Sequence, residues 1–125
     1  MRNSSYTSLY NRAKIVAKKS DMEHRHACLI VKNNEIIAEG FNKKYNMFEH
    51  IYSIHAEMDA ISKLASRSKG YTNDCDMYVY RIGTDLCSNP TKLSKPCKRC
   101  EDAIRKVGIK RVYYSIEEPI YLVKT

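Results

Sequence analysis

Size, composition and charge limit the classes of protein to which this chain can belong. It has 125 residues, of which 43% are hydrophobic and 29% are charged, which fits one domain with an ordinary apolar core and argues against global disorder. We therefore expect a single domain over residues 1–125. No apolar run approaches the roughly 18 residues that a membrane-spanning helix needs, and the N-terminal segment lacks the apolar centre of a secretory signal. These features predict a soluble, cytoplasmic protein.

Charge and cysteine content indicate the partners and the compartment of the protein. The formal charge of +8, from 22 Lys and Arg against 14 Asp and Glu, favours anionic partners such as nucleotides or nucleic acid. A solvated basic surface without a partner accounts for the same charge. The five cysteines are odd in number and irregular in spacing, which argues for a reducing compartment and against a disulfide framework. In such a compartment a C-x-x-C pair typically binds a metal or has a redox role.

Hydrophobic periodicity and turn residues predict short elements that alternate in type. The pattern predicts, in chain order, a helix over residues 5–19, strands over 27–32 and 35–41 around an Asn33-Asn34 turn, a loop over 43–52, a helix over 55–66, a strand over 76–82, a loop over 83–95, a helix over 96–107 and a strand over 110–116. Gly108 is placed to end the third helix.

The C-terminal segment constrains the topology. Nine residues follow Ile116, whereas a parallel crossover through a helix needs about a dozen or more. A strand over residues 120–123 must therefore return antiparallel, with its turn at residues 117–119. The order of elements predicts an α/β fold, with one mixed sheet, helices packed on it and an antiparallel C-terminal hairpin.

Two cysteines at a predicted helix start form half of a candidate zinc site. Residues 96–100 read Pro-Cys-Lys-Arg-Cys, so Cys97 and Cys100 share one face of the first helical turn. The unpaired N–H groups of a helix N-terminus favour thiolate, which is the form that binds zinc. Pro96 suits the first helical position, where its missing N–H has no effect.

A second motif, His-Ala-Glu at residues 55–57, also lies at a predicted helix start. His55 supplies a third ligand if both helix N-termini point at one ion. Three protein ligands leave the fourth tetrahedral position for water, as in catalytic zinc sites. Zinc lowers the pKa of that water, and the Glu57 carboxylate beside it can move protons. Each motif alone is weakly informative, but their combination, with a strand over 76–82 between them, predicts a catalytic metal centre.

The pattern H-x-E…P-C-x-x-C resembles the signature of the zinc-dependent cytidine deaminase-like superfamily, and the resemblance extends from the first predicted helix to the strand at 111–116. It implies a three-layer α-β-α fold with a mixed sheet of about five strands and a site between the second and third helices. It also implies Zn²⁺ held by His55, Cys97 and Cys100, with Glu57 as the catalytic acid and base. The implied reaction is hydrolytic deamination of a cytosine nucleoside or nucleotide to the uracil product and ammonia. The resemblance also implies a homo-oligomer.

Substrate contacts follow in part from the same resemblance. A Gly-Phe-Asn segment resembles the strand-end motif of the family, whose asparagine, here Asn42, reaches the substrate sugar. Ala56 matches the position whose backbone N–H contacts the base carbonyl. The residues themselves suggest Phe41 and Tyr45 for stacking on a base, although strand packing also accounts for them. Lys43, with Lys44 after it, is a candidate for a phosphate contact, and a solvated rim charge is the alternative.

Other histidines and cysteines have simpler interpretations. His24, His26 and His50 are further candidates for contacting metal or substrate, although a solvated strand-end histidine is the commoner case. Cys28 is expected in the core. Cys87, in the predicted loop over 83–95, is a candidate fourth ligand if the zinc is structural.

Three functions therefore remain open. Histidine as the first ligand is similar to deoxycytidylate and tRNA adenosine deaminases, whereas the C-terminal hairpin is similar to the free-cytidine branch. A polynucleotide-editing deaminase, acting on RNA or single-stranded DNA, is one alternative, and the charge permits it. A non-catalytic, zinc-stabilised binding module is the other, and it predicts four protein ligands with no use for Glu57.

Overall fold

Helices and strands alternate along the chain. The computed structural model describes residues 3–47, 50–64, 74–83, 91–92, 97–115 and 122–124. Its elements are α1 (Asn3–Ala17), β1 (Arg25–Lys32), β2 (Glu35–Phe41), β3 (Lys43–Met47), β4 (His50–Ile54), α2 (Ala56–Ser62), β5 (Asp76–Ile82), β6 (Thr91–Lys92), α3 (Lys98–Lys106), β7 (Arg111–Ser115) and β8 (Leu122–Lys124). Within these ranges no helix is long and apolar enough to cross a membrane.

The main sheet is mixed and has five strands along its path, in the order β2-β1-β5-β7-β8. The short strand β6 adds a sixth by pairing antiparallel with the end of β5. Strands β5 and β7 run parallel, because α3 lies between them in the chain and carries it back across the sheet. Strand β8 pairs antiparallel with β7, as the short C-terminal segment predicted.

Strand β1 separates two apolar layers because successive side chains point to opposite faces. Ala27, Leu29 and Val31 pack in the layer that contains α1, whereas Cys28 and Ile30 pack in the layer that contains α2 and α3. Among the described side chains of α1, the buried ones recur at helical spacing: Leu9, Tyr10, Ala13, Val16 and Ala17. The predicted three-layer arrangement is therefore confirmed, and Cys28 lies in the core as expected.

Two predicted chain reversals are also confirmed by backbone geometry. Asn33 and Asn34 have φ of 52° and 65°, the left-handed conformation that a two-residue hairpin turn between β1 and β2 requires. Gly108 has φ of 82° and follows the last residues of α3, where glycine ends helices without steric cost.

The prediction of a loop over residues 43–52 was wrong. Strands β3 and β4 pair antiparallel, from Lys43 with Ile54 to Met47 with His50, and form a two-stranded sheet apart from the main one. Because such a ribbon is not a layer of the main sheet, its sequence does not show the regular apolar alternation by which strands are recognised. The predicted loop over 83–95 similarly contains β6, which is too short to leave a sequence pattern.

Candidate active site

Two helices begin at the same place in the fold, and the residues just before them form the candidate site. His55 precedes α2 and Cys97 precedes α3, each with extended backbone, at φ −72° and ψ 153° for His55 and φ −71° and ψ 167° for Cys97. Neither side chain makes a capping hydrogen bond to its helix. Both side chains are therefore available to a ligand at the helix ends.

The three predicted ligands come together. Nδ1 of His55 lies 3.2 Å from Sγ of Cys100 and 3.6 Å from Sγ of Cys97, and the three ligand atoms lie within 4.8 Å of one another. A tetrahedral zinc ion with Zn–N near 2.1 Å and Zn–S near 2.3 Å separates such ligands by roughly 3.6 Å. The donor set therefore fits one zinc ion, and these residues supply three of its four tetrahedral positions. Cys87, the candidate structural ligand, lies outside the described residues.

The surroundings of Cys100 favour the neutral thiol, whereas a zinc ligand has to be a thiolate. Burial raises the pKa of the Cys100 thiol, and the neighbouring Glu57 carboxylate raises it further. In the absence of a cation, these effects oppose the preference for thiolate that we expected from the helix N-terminus. A divalent cation between the thiols reverses this balance, because a coordinating thiol is deprotonated by the metal.

Glu57 is buried beside the ligand cluster. It is the second residue of α2 and only 5% exposed, and burial raises the pKa of its carboxyl group. Its side chain also interacts with the Cys100 thiol. A carboxyl group whose pKa moves toward neutrality is suited to accept and return a proton during a reaction.

A cavity of about 450 Å³ opens at this cluster. It is large enough for a nucleotide-sized ligand. The described residues that line it are Met22, Glu23, His24, His26, Asn42, Lys44, Ser53, His55, Ala56, Glu57 and Cys97. Asn42 and Ala56 are thus placed on the cavity wall together with Glu57 and two of the three candidate ligands.

Asn42 is held by the segment that leads into β1. Its Oδ1 accepts a hydrogen bond from the backbone N–H of His26 at 2.8 Å, and its Nδ2 donates to the backbone carbonyl of His24 at 2.5 Å. Asn42 is 6% exposed, so its amide mainly fixes the cavity wall. The contact to a substrate sugar that the resemblance implies stays a prediction.

Phe41 and Lys43 do not line the cavity. Nζ of Lys43 lies 3.0 Å from the carboxylate of Asp59 and 4.6 Å from the centre of the Phe41 ring. Asp59 also accepts the backbone N–H of Phe41 and pairs with Lys63 at 3.1 Å. Burial acts to raise the pKa of Asp59, but the hydrogen bonds from the two lysines outweigh it and lower that pKa. These contacts join the end of β2 to α2, and direct substrate contacts by Phe41 and Lys43 stay predictions.

Some cavity residues were not identified from the sequence. Ser53 lies opposite Lys44 in the register of β3 and β4, so prediction of that hairpin would have placed it at the cavity. Met22 and Glu23 lie before β1 in no regular pattern. The side chains of Tyr45 and His50, which the sequence suggested as contacts, lie outside the described part of the structure.

Comparison with known proteins identifies the family. The cytidine and deoxycytidylate deaminase zinc-binding region matches residues 3–116. The chain is 36% identical over 92 residues to the diaminohydroxyphosphoribosylamino-pyrimidine deaminase of Buchnera aphidicola subsp. Schizaphis graminum (strain Sg), covering 74% of this chain and 51% of that protein. It is 33% identical over 95 residues to the riboflavin biosynthesis protein RibD of Bacillus amyloliquefaciens, covering 76% and 21%. The chain thus spans about half the length of the first relative and about a fifth of the second.

A solved structure supports the fold. The dCMP deaminase of the cyanophage S-TIM5 in its apo form is similar with a TM-score of 0.72 at 22% identity, over 93% of this chain and 86% of that chain. At this identity the likeness concerns the fold, and it confirms the predicted cytidine deaminase-like architecture. The family match includes all three candidate ligands and Glu57. The chain belongs to the cytidine and deoxycytidylate deaminase zinc-binding family, whose members are zinc-dependent hydrolases of the deaminase superfamily.

Proposed function

We propose that the protein hydrolytically deaminates the pyrimidine ring of a nucleoside or nucleotide, with cytosine as the leading candidate ring. The observation that carries this proposal is the position of Glu57, a buried carboxyl group that lines the cavity beside His55 and Cys97. A structural zinc site has no use for a titratable carboxyl group in that position. Three protein ligands with one coordination position left for water are typical of catalytic zinc sites, which supports the proposal.

The residues divide the work of the reaction. His55, Cys97 and Cys100 hold the zinc ion, which when bound supplies a water molecule of lowered pKa. Glu57 accepts a proton from the attacking water and delivers it to the ring nitrogen next to the carbon that bears the amino group. The same carboxyl group then takes the remaining proton of the hydroxyl group added to the ring carbon and passes it to the amine. The hydroxyl oxygen becomes the ring carbonyl as the carbon–nitrogen bond breaks and ammonia leaves. Proton transfer of this kind typically contributes about 10²–10⁴-fold to the rate.

Backbone and wall residues orient the ring. Ala56 is buried and lines the cavity between His55 and Glu57, which supports a contact from its backbone N–H to the ring carbonyl. Asn42, which is hydrogen-bonded to the backbone N–H of His26 in β1, forms part of the cavity wall. The base is thereby held with its amino-bearing carbon toward the metal site.

A phosphate on the substrate is supported by the charge of the cavity. Lys44 lines it, and the chain carries a net charge of +8. Two of the similar proteins named above act on pyrimidine compounds with phosphorylated sugars: the Buchnera protein is a deaminase of a phosphoribosylamino-pyrimidine, and the cyanophage protein is a dCMP deaminase. We therefore place a pyrimidine nucleotide first among substrates. The phosphoribosylamino-pyrimidine is the second candidate, because the 36% identity supports it.

Ammonia release by zinc-loaded protein tests the proposal. The substrates are cytidine, deoxycytidine, CMP, dCMP, the phosphoribosylamino-pyrimidine, adenosine, guanine and a short single-stranded RNA. Glu57→Gln keeps the shape of the side chain and is expected to retain zinc while losing about 10²-fold or more in turnover. Glu35→Gln, an exposed glutamate at the start of β2, is the control and is expected to behave as the unchanged protein.

Each result has a distinct meaning. Turnover of a pyrimidine monomer that is lost in Glu57→Gln supports the proposal and identifies the ring and the need for phosphate. Full turnover in Glu57→Gln removes this residue from the mechanism. Reaction of the RNA alone replaces the proposal with a polynucleotide deaminase, and no reaction from zinc-replete protein favours a binding module.

A further inference from the structure

Two histidines line the cavity, and their hydrogen-bond partners determine which ring nitrogen carries the proton in the neutral side chain. Nδ1 of His24 lies 2.7 Å from Nη2 of Arg81. A guanidinium group only donates hydrogen bonds, so Nδ1 of His24 is an acceptor and the ring proton of the neutral imidazole is on Nε2. His24 therefore presents an N–H donor from the exposed rim of the cavity.

His26 has the opposite arrangement. Its Nδ1 lies 3.4 Å from the backbone carbonyl oxygen of His24, and a carbonyl oxygen only accepts, so Nδ1 carries the proton. Nε2 of His26 is then an acceptor, and among the described residues it has no hydrogen-bond partner. Burial lowers the pKa of His26 to about 4, so the ring is neutral at pH 7.

The position of His26 is fixed by its surroundings. Its backbone N–H is bound by the Asn42 side chain, and its backbone pairs with Arg81 across β1 and β5. The same Arg81 bonds to His24. A side chain on such a restrained segment loses little conformational entropy when a ligand binds it.

We propose that His26 is a specificity-determining residue, which accepts a hydrogen bond from a sugar hydroxyl of the substrate through Nε2. This inference rests on the proposed function, because it assumes that the cavity takes a nucleoside or nucleotide. A hydroxyl group donates and accepts at once, which matches a cavity wall that offers an acceptor on His26 and a donor on His24. A phosphate oxygen only accepts at neutral pH, so it would leave Nε2 of His26 without a partner.

A kinetic comparison tests the role. His26→Val suits a β-strand and removes the acceptor, whereas His26→Gln keeps an acceptor at a similar distance from the backbone. The substrates are CMP, dCMP and the 2′,3′-dideoxy analogue, with the matching nucleosides. We expect the unchanged protein to favour the hydroxylated substrates in kcat/KM, and His26→Val to lose roughly tenfold on those substrates and little on the dideoxy analogue. His26→Gln is expected to keep part of the preference. An equal loss on all substrates in His26→Val would overturn the proposal.

A second measurement does not depend on turnover. Nitrogen-15 NMR of the imidazoles in zinc-loaded Glu57→Gln protein reports which ring nitrogen carries each proton. We expect the Nδ1–H form for His26 and the Nε2–H form for His24, and a shift of the His26 Nε2 signal with CMP but not with the dideoxy analogue. The reverse protonation of His26, no response to CMP, or the same response to both ligands overturns the inference. If the unchanged, zinc-loaded protein releases no ammonia while the NMR response is as expected, the deaminase function is rejected and the hydroxyl contact is retained.

Discussion

Gly40 lies directly against Ala60, where strand β2 crosses helix α2. A Cβ atom on Gly40 would lie 2.4 Å from the backbone nitrogen of Ala60 and 2.4 Å from the backbone oxygen of Ala56. Distances below 3.0 Å do not occur for real Cβ atoms, and both neighbours are backbone atoms that cannot rotate away. The absence of a side chain at this position therefore allows the first turn of α2, with His55 and Glu57 at its start, to approach the sheet.

Gly40→Ala should consequently disturb both the fold and the metal site. The added methyl group has to displace α2, and overpacking of this kind costs about 3 kcal/mol of unfolding free energy or slightly more. Urea unfolding and zinc affinity are the measurements, and we expect both to fall. Ile36→Ala is the control on the same strand, because Ile36 is 37% exposed and its truncation should cost less than about 1 kcal/mol. Normal stability and zinc affinity in Gly40→Ala would show that the close approach does not position the site.

Removal of a thiol ligand should lower the zinc content without unfolding the protein. In Cys97→Ser the zinc ion loses a thiolate from an exposed position, so core packing is little affected while affinity falls. We expect purified protein to contain well under one zinc per chain by elemental analysis. Cys75→Ala is the matched control, because this cysteine is buried in the core and does not belong to the ligand cluster. It should lose stability and keep its zinc, and the opposite pattern would mean that the ligand set is wrong.

The cysteine half of the metal site and the two hairpins of the main sheet could be predicted from the sequence because each depends on local rules. The meeting of His55 with cysteines 42 and 45 residues later does not follow from such rules, and it was inferred from the combination of two motifs. The spacing of Cys97 and Cys100, their place at a helix start and the turn at Asn33-Asn34 follow from the geometry of single elements. The antiparallel return of β8 follows from the length of the segment that precedes it. No contact between distant parts of the chain was needed for these predictions.

The cavity wall could not be predicted in the same way, because its contacts join distant segments. The amide of Asn42 bonds to a backbone segment sixteen and eighteen residues earlier in the chain, and the partner of His24 is Arg81, fifty-seven residues later. Such contacts also determine that Lys44 lines the cavity whereas Lys43 does not. The two are adjacent in sequence, and the pairing with Asp59 distinguishes them.

That difference gives a prediction about phosphate recognition. Lys44 lines the cavity, whereas Lys43 is paired with Asp59 and does not line it. If the substrate carries a phosphate, Lys44→Gln should raise KM for a nucleotide several-fold more than for the matching nucleoside. Lys43→Gln serves as the control and should affect nucleotide and nucleoside equally. Steady-state kinetics on dCMP and deoxycytidine would decide, and a selective effect at Lys43 would mean that this lysine leaves Asp59 when substrate binds.

The neutral state of His26 should make stability depend on pH in a defined window. In an unfolded chain a histidine has a pKa near 6.5, whereas burial lowers the pKa of His26 to about 4 in the folded protein. Between about pH 6.5 and pH 4 the unfolded state therefore binds a proton that the folded state does not. The contribution of His26 to the unfolding free energy is fully present above pH 6.5 and falls as the pH decreases through this window. The shift corresponds to about 3–4 kcal/mol on the order-of-magnitude scale of roughly 1.4 kcal/mol per pKa unit.

His26→Val should remove this part of the pH dependence. Urea unfolding of the zinc-free protein, measured at several values from pH 7.5 to pH 4, separates the effect from acid release of zinc by the thiolate ligands. Below pH 6.5 we expect the unfolding free energy of the unchanged protein to fall more steeply with decreasing pH than that of His26→Val. Above pH 6.5 the two curves should be parallel. Curves that stay parallel across the whole range would show that His26 takes up its proton in the folded protein as readily as in the unfolded chain. The ring would then be charged in mildly acidic solution, and the acceptor that we assign to Nε2 would be lost there, because both nitrogens of a protonated imidazole are donors.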